Sequence, residues 1–341
     1  MRTAVVLFNL GGPDQPQSVE PFLFNLFSDP AIISVPQPFR WLLAKLISRR
    51  RAPIAQKIYA EIGGSSPLLA LTREQAAALE QSCSDLGEVK TFICMRYWHP
   101  MSDETVKEVM AFAPEKIILL PLYPQFSTTT SGSSFKDWHK TAKKHGLRAP
   151  TVEVCCYPKA DGWIAAQADL IARAYAEAGT GAKPRVLFSA HGLPEKVIAG
   201  GDPYQWQVEQ TAKAVVDQLA IEGLDWVVCY QSQVGPLKWI GPSTDDEIAR
   251  AGADNVPLIV LPIAFVSEHS ETLVELDIEY RELAHEKGVP AYTRIPAVGT
   301  HPKFISALTR LVKLGQDEQN ARLSENNGRL CPASCGQCPW H

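Results

Sequence analysis

A chain of 341 residues with 45% hydrophobic content is long enough for two domains with substantial cores and too apolar to be disordered. Its formal net charge of -4 argues against non-specific nucleic-acid binding, which needs a basic surface. The apolar runs Ile117 to Leu122 and Leu258 to Val266 each contain proline and fall far short of the roughly 20 residues a bilayer-spanning helix needs.

The run Ala4 to Leu10, followed by Gly11, Gly12 and Pro13, reads as a first strand and turn. It lacks the small-residue cleavage pattern of a signal peptide, so a cytoplasmic location is expected. From Pro21 to Ser48 the chain is rich in Phe, Leu, Ile, Trp and Pro, with Phe39, Leu42, Leu43, Leu46 and Ile47 at helical spacing and Arg49, Arg50 and Arg51 closing it. Such a helix either packs on its own domain or forms an apolar lip, at residues 21–51, that meets a membrane surface or a second subunit.

Further along, strand-like runs at Thr91 to Met95, Lys116 to Leu122, Val152 to Tyr157, Arg185 to Ser189, Trp226 to Tyr230 and Pro257 to Phe265 alternate with amphipathic stretches. Examples of the latter are Asp161 to Ala178, Gln205 to Glu222 and Glu271 to Lys287. This cadence predicts an α/β protein whose parallel sheets are flanked by helices. IILLPLYPQFSTTT, from Ile117, and LIVLPIAFVSEHSET, from Leu258, share a buried strand ending in Leu-Pro and a later polar turn, which predicts two similar domains. The expected division is 1–145, 146–300, and a C-terminal helix with a cysteine-rich tail over 301–341.

In open parallel sheets ligands bind beyond the carboxyl ends of the strands, where the polar motifs of this chain fall. These are STTTSGSS (Ser127 to Ser134), SAHGLP (Ser189 to Pro194), the run Tyr230 to Thr244, and SEHSE from Ser267. No glycine-rich phosphate fingerprint is present. SEHSETLVELDIEY places one histidine and five acids in fourteen residues, with Glu271, Glu275 and Glu279 at i, i+4 and i+8 of a helix starting at Ser267 or Glu268. A column of like charges is either a solvated face or a carboxylate track for a cation or protons, with His269 and Glu271 at its mouth. His191, in a tight turn two residues past a strand, comes to the same sheet edge. A histidine facing a carboxylate can bind a borderline metal ion, exchange protons near neutral pH, or do both. The serine-rich loop with Ser131 either donates to carboxylates or caps the next helix.

Of eight cysteines, Cys94 and Cys229 sit in strand-like segments and are expected to be buried, reduced and inert. Cys331, Cys335 and Cys338 form C-x3-C-x2-C near the end, followed by His341. The tail can hold zinc as Cys3His, or an iron–sulfur cluster completed by Cys155 or Cys156, or consist of free thiols.

These motifs, together with FNLGGP (Phe8 to Pro13), IGGSSPL (Ile62 to Leu68), RYWHP (Arg96 to Pro100), LPLYPQFSTTTSGSS (Leu120 to Ser134) and GDPY (Gly201 to Tyr204), resemble ferrochelatases over most of residues 4–310. Those enzymes insert ferrous iron into a porphyrin to make haem. The resemblance implies two Rossmann-like, chelatase-like domains with protoporphyrin IX held between them and Fe2+ as a substrate. It puts His191 and Glu271 as the metal and proton pair, with His269 beside them and Glu275 and Glu279 extending the track. Arg96, Tyr97, Tyr123, Ser131, Tyr204 and Trp239 fall in motifs that line or support the porphyrin site. It also favours a [2Fe-2S] cluster on Cys331, Cys335, Cys338 and Cys156 or Cys155, over structural zinc. A chelatase for coproporphyrin or cobalt is the alternative; a non-catalytic tetrapyrrole or metal carrier would gain little from ionisable groups facing the ring.

Overall fold

The computed structural model describes residues 1–178, 183–233 and 235–340. Val234, within the run after Tyr230, and His341, the fourth ligand in the zinc reading, lie outside the described residues. The strands are β1 (Arg2–Asn9), β2 (Glu88–Met95), β3 (Lys116–Pro121), β4 (Thr151–Val154), β5 (Arg185–His191), β6 (Trp226–Gln231), β7 (Leu258–Pro262), β8 (Tyr292–Arg294) and β9 (Arg322–Leu323). Two compact units contain them. One comprises Met1–Cys156 with Leu308–Gly328, the other Tyr157–Ala307 with Arg329–His341.

In the first unit the order is β2-β1-β3-β4-β9, and in the second β6-β5-β7-β8, with every pairing parallel. The first four strands of each sheet therefore follow the same winding, as the paired Leu-Pro segments predict. β1 and β5 are buried along nearly their whole length, as strands covered on both faces must be. Helices supply the cover. Phe8 meets Phe135 and Trp138 edge-on at 5.8 and 5.9 Å, each such pair adding about 0.5–1.5 kcal/mol beyond area burial. β8 and β9 are too short for a periodicity to reveal. β9 is held by Arg322, whose Nε donates to Glu153 at 2.8 Å, and the buried Lys116 ammonium caps the end of helix Pro302–Asp317 through the carbonyls of Gln316 and Glu318.

Two expected boundaries move. The lip helix runs Phe39–Ala60, continuing through Arg49–Arg51 and across Pro53, because Ala44, Ser48, Ala52 and Tyr59 keep a buried face. Ala52 and Tyr59 pack in one cluster with Phe22 and Leu23. The acidic helix does not begin at Ser267 or Glu268. A turn precedes it, in which Glu268 Oε1 accepts from Arg294 at 2.6 Å and from the Ala297 N–H at 2.9 Å. From Glu271 to Glu279 the backbone is a π-helix, closed where the Tyr280 N–H donates to the carbonyl of Glu275, five residues back. Among the described residues no helix is long and apolar enough to cross a membrane.

Candidate active site

In the second unit β5 lies between β6 and β7, so its carboxyl end is the switch point of the sheet, the place where open parallel sheets take their ligands. His191 is the last residue of β5, in register with Gln231, the last of β6. The π-helix follows β7. Its first residue meets His191: Nδ1 lies 3.0 Å from Glu271 Oε2, leaving Nε2 as the nitrogen that can take a proton or a metal. Burial alone would lower the pKa of the imidazole. The Glu271 charge and hydrogen bond, helped by Glu275, outweigh it and hold His191 above its ordinary value. Burial likewise opposes ionisation of Glu271, yet His191 and His269 hold it far below the ordinary carboxylate range.

Glu275 behaves oppositely. Burial and the neighbouring Glu271 charge raise it. Its oxygens accept from the Ser232 N–H (2.8 Å), Ser232 Oγ (2.5 Å), Gln231 Nε2 (3.0 Å) and the Tyr280 hydroxyl (3.2 Å). Glu279 is exposed, so the expected column of three acids divides into two half-buried carboxylates and one facing solvent. Two carboxylates pushed apart in acidity beside one imidazole form a set that can pass protons, and the His191–Glu271 pair alone offers two donors to a metal ion.

The surrounding side chains are in place for reasons visible in the packing. A Cβ on Gly192 would lie 2.9 Å from the Gln231 carbonyl and 3.3 Å from the Trp239 ring, so glycine lets Trp239 settle against the turn after His191. Tyr204, 7% exposed, meets the backbone N–H of His191, and burial raises its hydroxyl well above the ordinary value. His269 is buried against Phe265, ring centroids 4.6 Å apart, with Nε2 3.7 Å from Glu271 Oε2. Gln231 and Ser232 stand in a run singled out for its position only; nothing in their identity marked them as ligands of Glu275.

The family model described as ferrochelatase matches residues 2–315. The chain belongs to the ferrochelatase family. It is 54% identical over 341 residues to a ferrochelatase of Caulobacter vibrioides (strain NA1000 / CB15N), covering 99% of this chain and 97% of that one. Against a ferrochelatase of Pelagibacter ubique the identity is 51%, with 99% and 98% covered. Among solved structures, the sirohydrochlorin chelatase SirB of Bacillus subtilis subspecies spizizenii in complex with cobalt superposes with a TM-score of 0.54 at 11% identity, covering 94% of this chain and 97% of that chain. That likeness speaks for the chelatase fold alone.

The ferrochelatase motifs of the first unit sit at the equivalent strand ends. Arg96, directly after β2, donates to Asp29 Oδ2 (2.8 Å) and Ser133 Oγ (2.7 Å) and stacks over Tyr97 at 5.0 Å. The Tyr97 hydroxyl also donates to Asp29 Oδ2, at 2.9 Å, and Ser133 donates to the same oxygen. Asp29, 4% exposed, is thus the centre of a network that the motif containing Arg96 and Tyr97 did not disclose. Tyr123 packs at the rim of the core around Phe8, and burial raises its hydroxyl well above the ordinary value. Ser131 opens helix Ser131–His145; its Oγ is buried without a hydrogen-bond partner, and Thr130 provides no side-chain cap.

The family match ends before the cysteine tail. Cys331, Cys335 and Cys338 are buried with Trp206 and Trp340 against them. Gln207 Nε2 donates to Cys331 Sγ at 3.1 Å, and a hydrogen bond with Cys338, with burial, pushes the Cys331 thiol far up. Trp340 Nε1 is buried with no acceptor. The tail is seated on the turn before Tyr204: the Gln337 N–H donates to the Gly201 carbonyl at 3.0 Å. In the other unit Cys155 and Cys156 are buried, their sulfurs 3.4 Å apart. Among the described residues no three His, Cys, Asp or Glu side chains are set around a position for a metal ion. Cys94 and Cys229 are both pushed up to about 12 by burial, as inert core thiols should be.

Proposed function

We propose that this chain inserts ferrous iron into protoporphyrin IX, producing protohaem and two protons. The observation that carries the reading is the His191–Glu271 pair at the carboxyl end of β5, with Glu275 behind it. Metallation requires two pyrrole protons to leave and the metal to shed water. Neutral His191 accepts a proton or ligates iron through Nε2, and Glu271 balances the charge it acquires. Trp239 and Tyr204 lie next to that pair, and Arg96, Tyr97, Tyr123 and Ser131 fall in motifs that the same reading assigns to porphyrin binding. An anaerobic assay offering protoporphyrin and coproporphyrin with ferrous, cobalt and zinc ions tests the reading. Metallation of protoporphyrin by iron, lost in His191→Ala with far-UV circular dichroism unchanged, is the expected result. Preference for coproporphyrin or cobalt selects the alternative chelatase, and no metallation at all removes the enzyme reading.

For the tail we propose a [2Fe-2S] cluster that takes thiolates from Cys331, Cys335 and Cys338, although here these sulfurs are not gathered around one metal position. Its donors are soft thiols in a dry setting, Gln207 already donates to one sulfur, and the acceptorless Trp340 N–H would be satisfied by another. When bound, such a cluster supplies a one-electron centre and a crosslink of the tail. Iron and acid-labile sulfide in the purified protein support it; one zinc per chain and no colour refute it.

The lip helix supports peripheral membrane contact from the cytoplasmic side. Phe39, Trp41, Leu42, Leu46 and Ile54 are 48–66% exposed, and Arg49–Arg51 adjoin them. Co-flotation with vesicles of anionic lipid, weakened by Trp41→Ser with Leu42→Ser, is expected. Concentration-dependent self-association without flotation would point to a second subunit as the occupant.

A further inference from the structure

Ser232 is a non-glycine residue in the left-handed region, at φ +64°. For an L-residue with a Cβ this costs on the order of 1 kcal/mol and persists only where the surroundings require it. Here the requirement is visible. The turn aims the Ser232 backbone N–H at Glu275 Oε1 while its hydroxyl reaches Oε2, so one residue grips both oxygens of the carboxylate. Behind it, Gln231 donates one amide group to Glu275 Oε2 at 3.0 Å and to the Glu271 carbonyl at 3.2 Å. The Gln231 carbonyl oxygen is fixed in turn by Ser189 Oγ at 2.9 Å, and Ser189 shares a 3.0 Å bond with Thr244. The clamp thus runs from β5 through the end of β6 to the first turn of the π-helix.

A carboxylate beside a second carboxylate would turn away from it toward water if it were free to do so. Four donors prevent this for Glu275. A side chain built to leave its place and ferry an ion would not be tied at both oxygens by a strained backbone turn.

We propose that Ser232 is a positioning residue for metal insertion: its N–H and hydroxyl hold Glu275 as a fixed carboxylate beside Glu271. The proposal rests on the reading that Glu271 and Glu275 serve metal insertion. Its test uses the full chain with protoporphyrin and ferrous iron, comparing Ser232→Gly and Ser232→Ala in the native protein and in Glu275→Gln. Glycine keeps the N–H and accepts φ +64° without cost, while alanine guards against simple loosening of the turn. Losing a hydrogen bond to a charged group should lower kcat about tenfold in both variants, with the porphyrin KM unchanged. On the Glu275→Gln background neither variant should lower it further, because Ser232 acts only through that carboxylate. An equal loss on both backgrounds overturns the proposal. So does native kcat in the Ser232 variants where Glu275→Gln is impaired, and that result leaves the reading of Glu275 standing. Native turnover in Glu275→Gln itself overturns both.

Discussion

His191 and Glu271 stand eighty positions apart in the chain, and their side chains meet at 3.0 Å. The contact exists because β5 and β7 are neighbours in one parallel sheet, so the turns that follow them share an edge. It also favours the charged form of both partners. The raised imidazole contributes stability that is full below its ordinary value of 6.5 and is lost as pH rises through the folded-state value. The lowered carboxylate contributes stability present above its ordinary 4.5 and lost as pH falls through the folded-state value. Both contributions are therefore complete between about 4.5 and 6.5, and the stability advantage over Glu271→Gln should be greatest there. On the proposed reading in which neutral His191 accepts the proton, the acid limb of kcat/KM should lie above that of an ordinary histidine. In Glu271→Gln, burial is opposed only by Glu275, so that limb and the His191 NMR titration should both move to lower pH. A limb that stays in place would remove His191 from the proton-accepting role.

The two outer acids of the π-helix should behave differently. Glu279 is exposed, and its replacement by Gln should change stability by no more than about 0.5 kcal/mol and leave turnover intact. Glu275→Gln keeps the shape but loses the charge that four donors surround, so turnover should fall. Steady-state rates of the two variants under one set of conditions decide; equal effects would restore a continuous track of three acids.

What the sequence made legible follows from period and position. Strands read directly from apolar runs such as Lys116–Pro121 and Leu258–Pro262, and their Leu-Pro endings anticipated two sheets of like winding. His191 and Glu271 were readable because one ends such a strand and the other opens the helix that follows one. Partners supplied through tertiary structure were not. Asp29 lies far from Arg96 and Tyr97 in sequence, and its carboxylate resembles any surface acid until the fold buries it. Glu271, Glu275 and Glu279 have the same spacing in an α- or a π-helix, so the register that turns Glu279 outward has no signature. The φ of Ser232 has none either, since serine does not ordinarily announce a left-handed turn.

Asp29 makes the first unit's network sensitive to a single change. Burial works against its ionisation, but Ser133, Arg96 and Tyr97 hold it below the ordinary carboxylate value. Its contribution is thus present above the ordinary value and fades as pH drops through the lowered one. Asp29→Ala leaves the Arg96 guanidinium, 17% exposed, with only the more distant Asp137 carboxylate at 4.0 Å as counter-charge and should cost about 3 kcal/mol. Urea denaturation at neutral pH measures it, and the deficit should narrow in acid, where native Asp29 is itself protonated.

Gly201 ties the cysteine tail to the turn that carries Tyr204. Its φ is +94°, and a Cβ there would lie 2.8 Å from the backbone nitrogen of Gly336. Gly201→Ala therefore combines backbone strain of about 1 kcal/mol with a collision between two main chains that neither can relieve by a rotamer change. Gly223→Ala provides the control, since its φ is +67° and its Cβ would meet nothing within 4 Å. Limited proteolysis should release the tail faster in Gly201→Ala than in Gly223→Ala, with far-UV circular dichroism alike in both. If the tail thiols hold a cluster, iron and sulfide per chain should fall in the first variant and persist in the second. Equal protease resistance would show that the seat on Gly201 does not retain the tail.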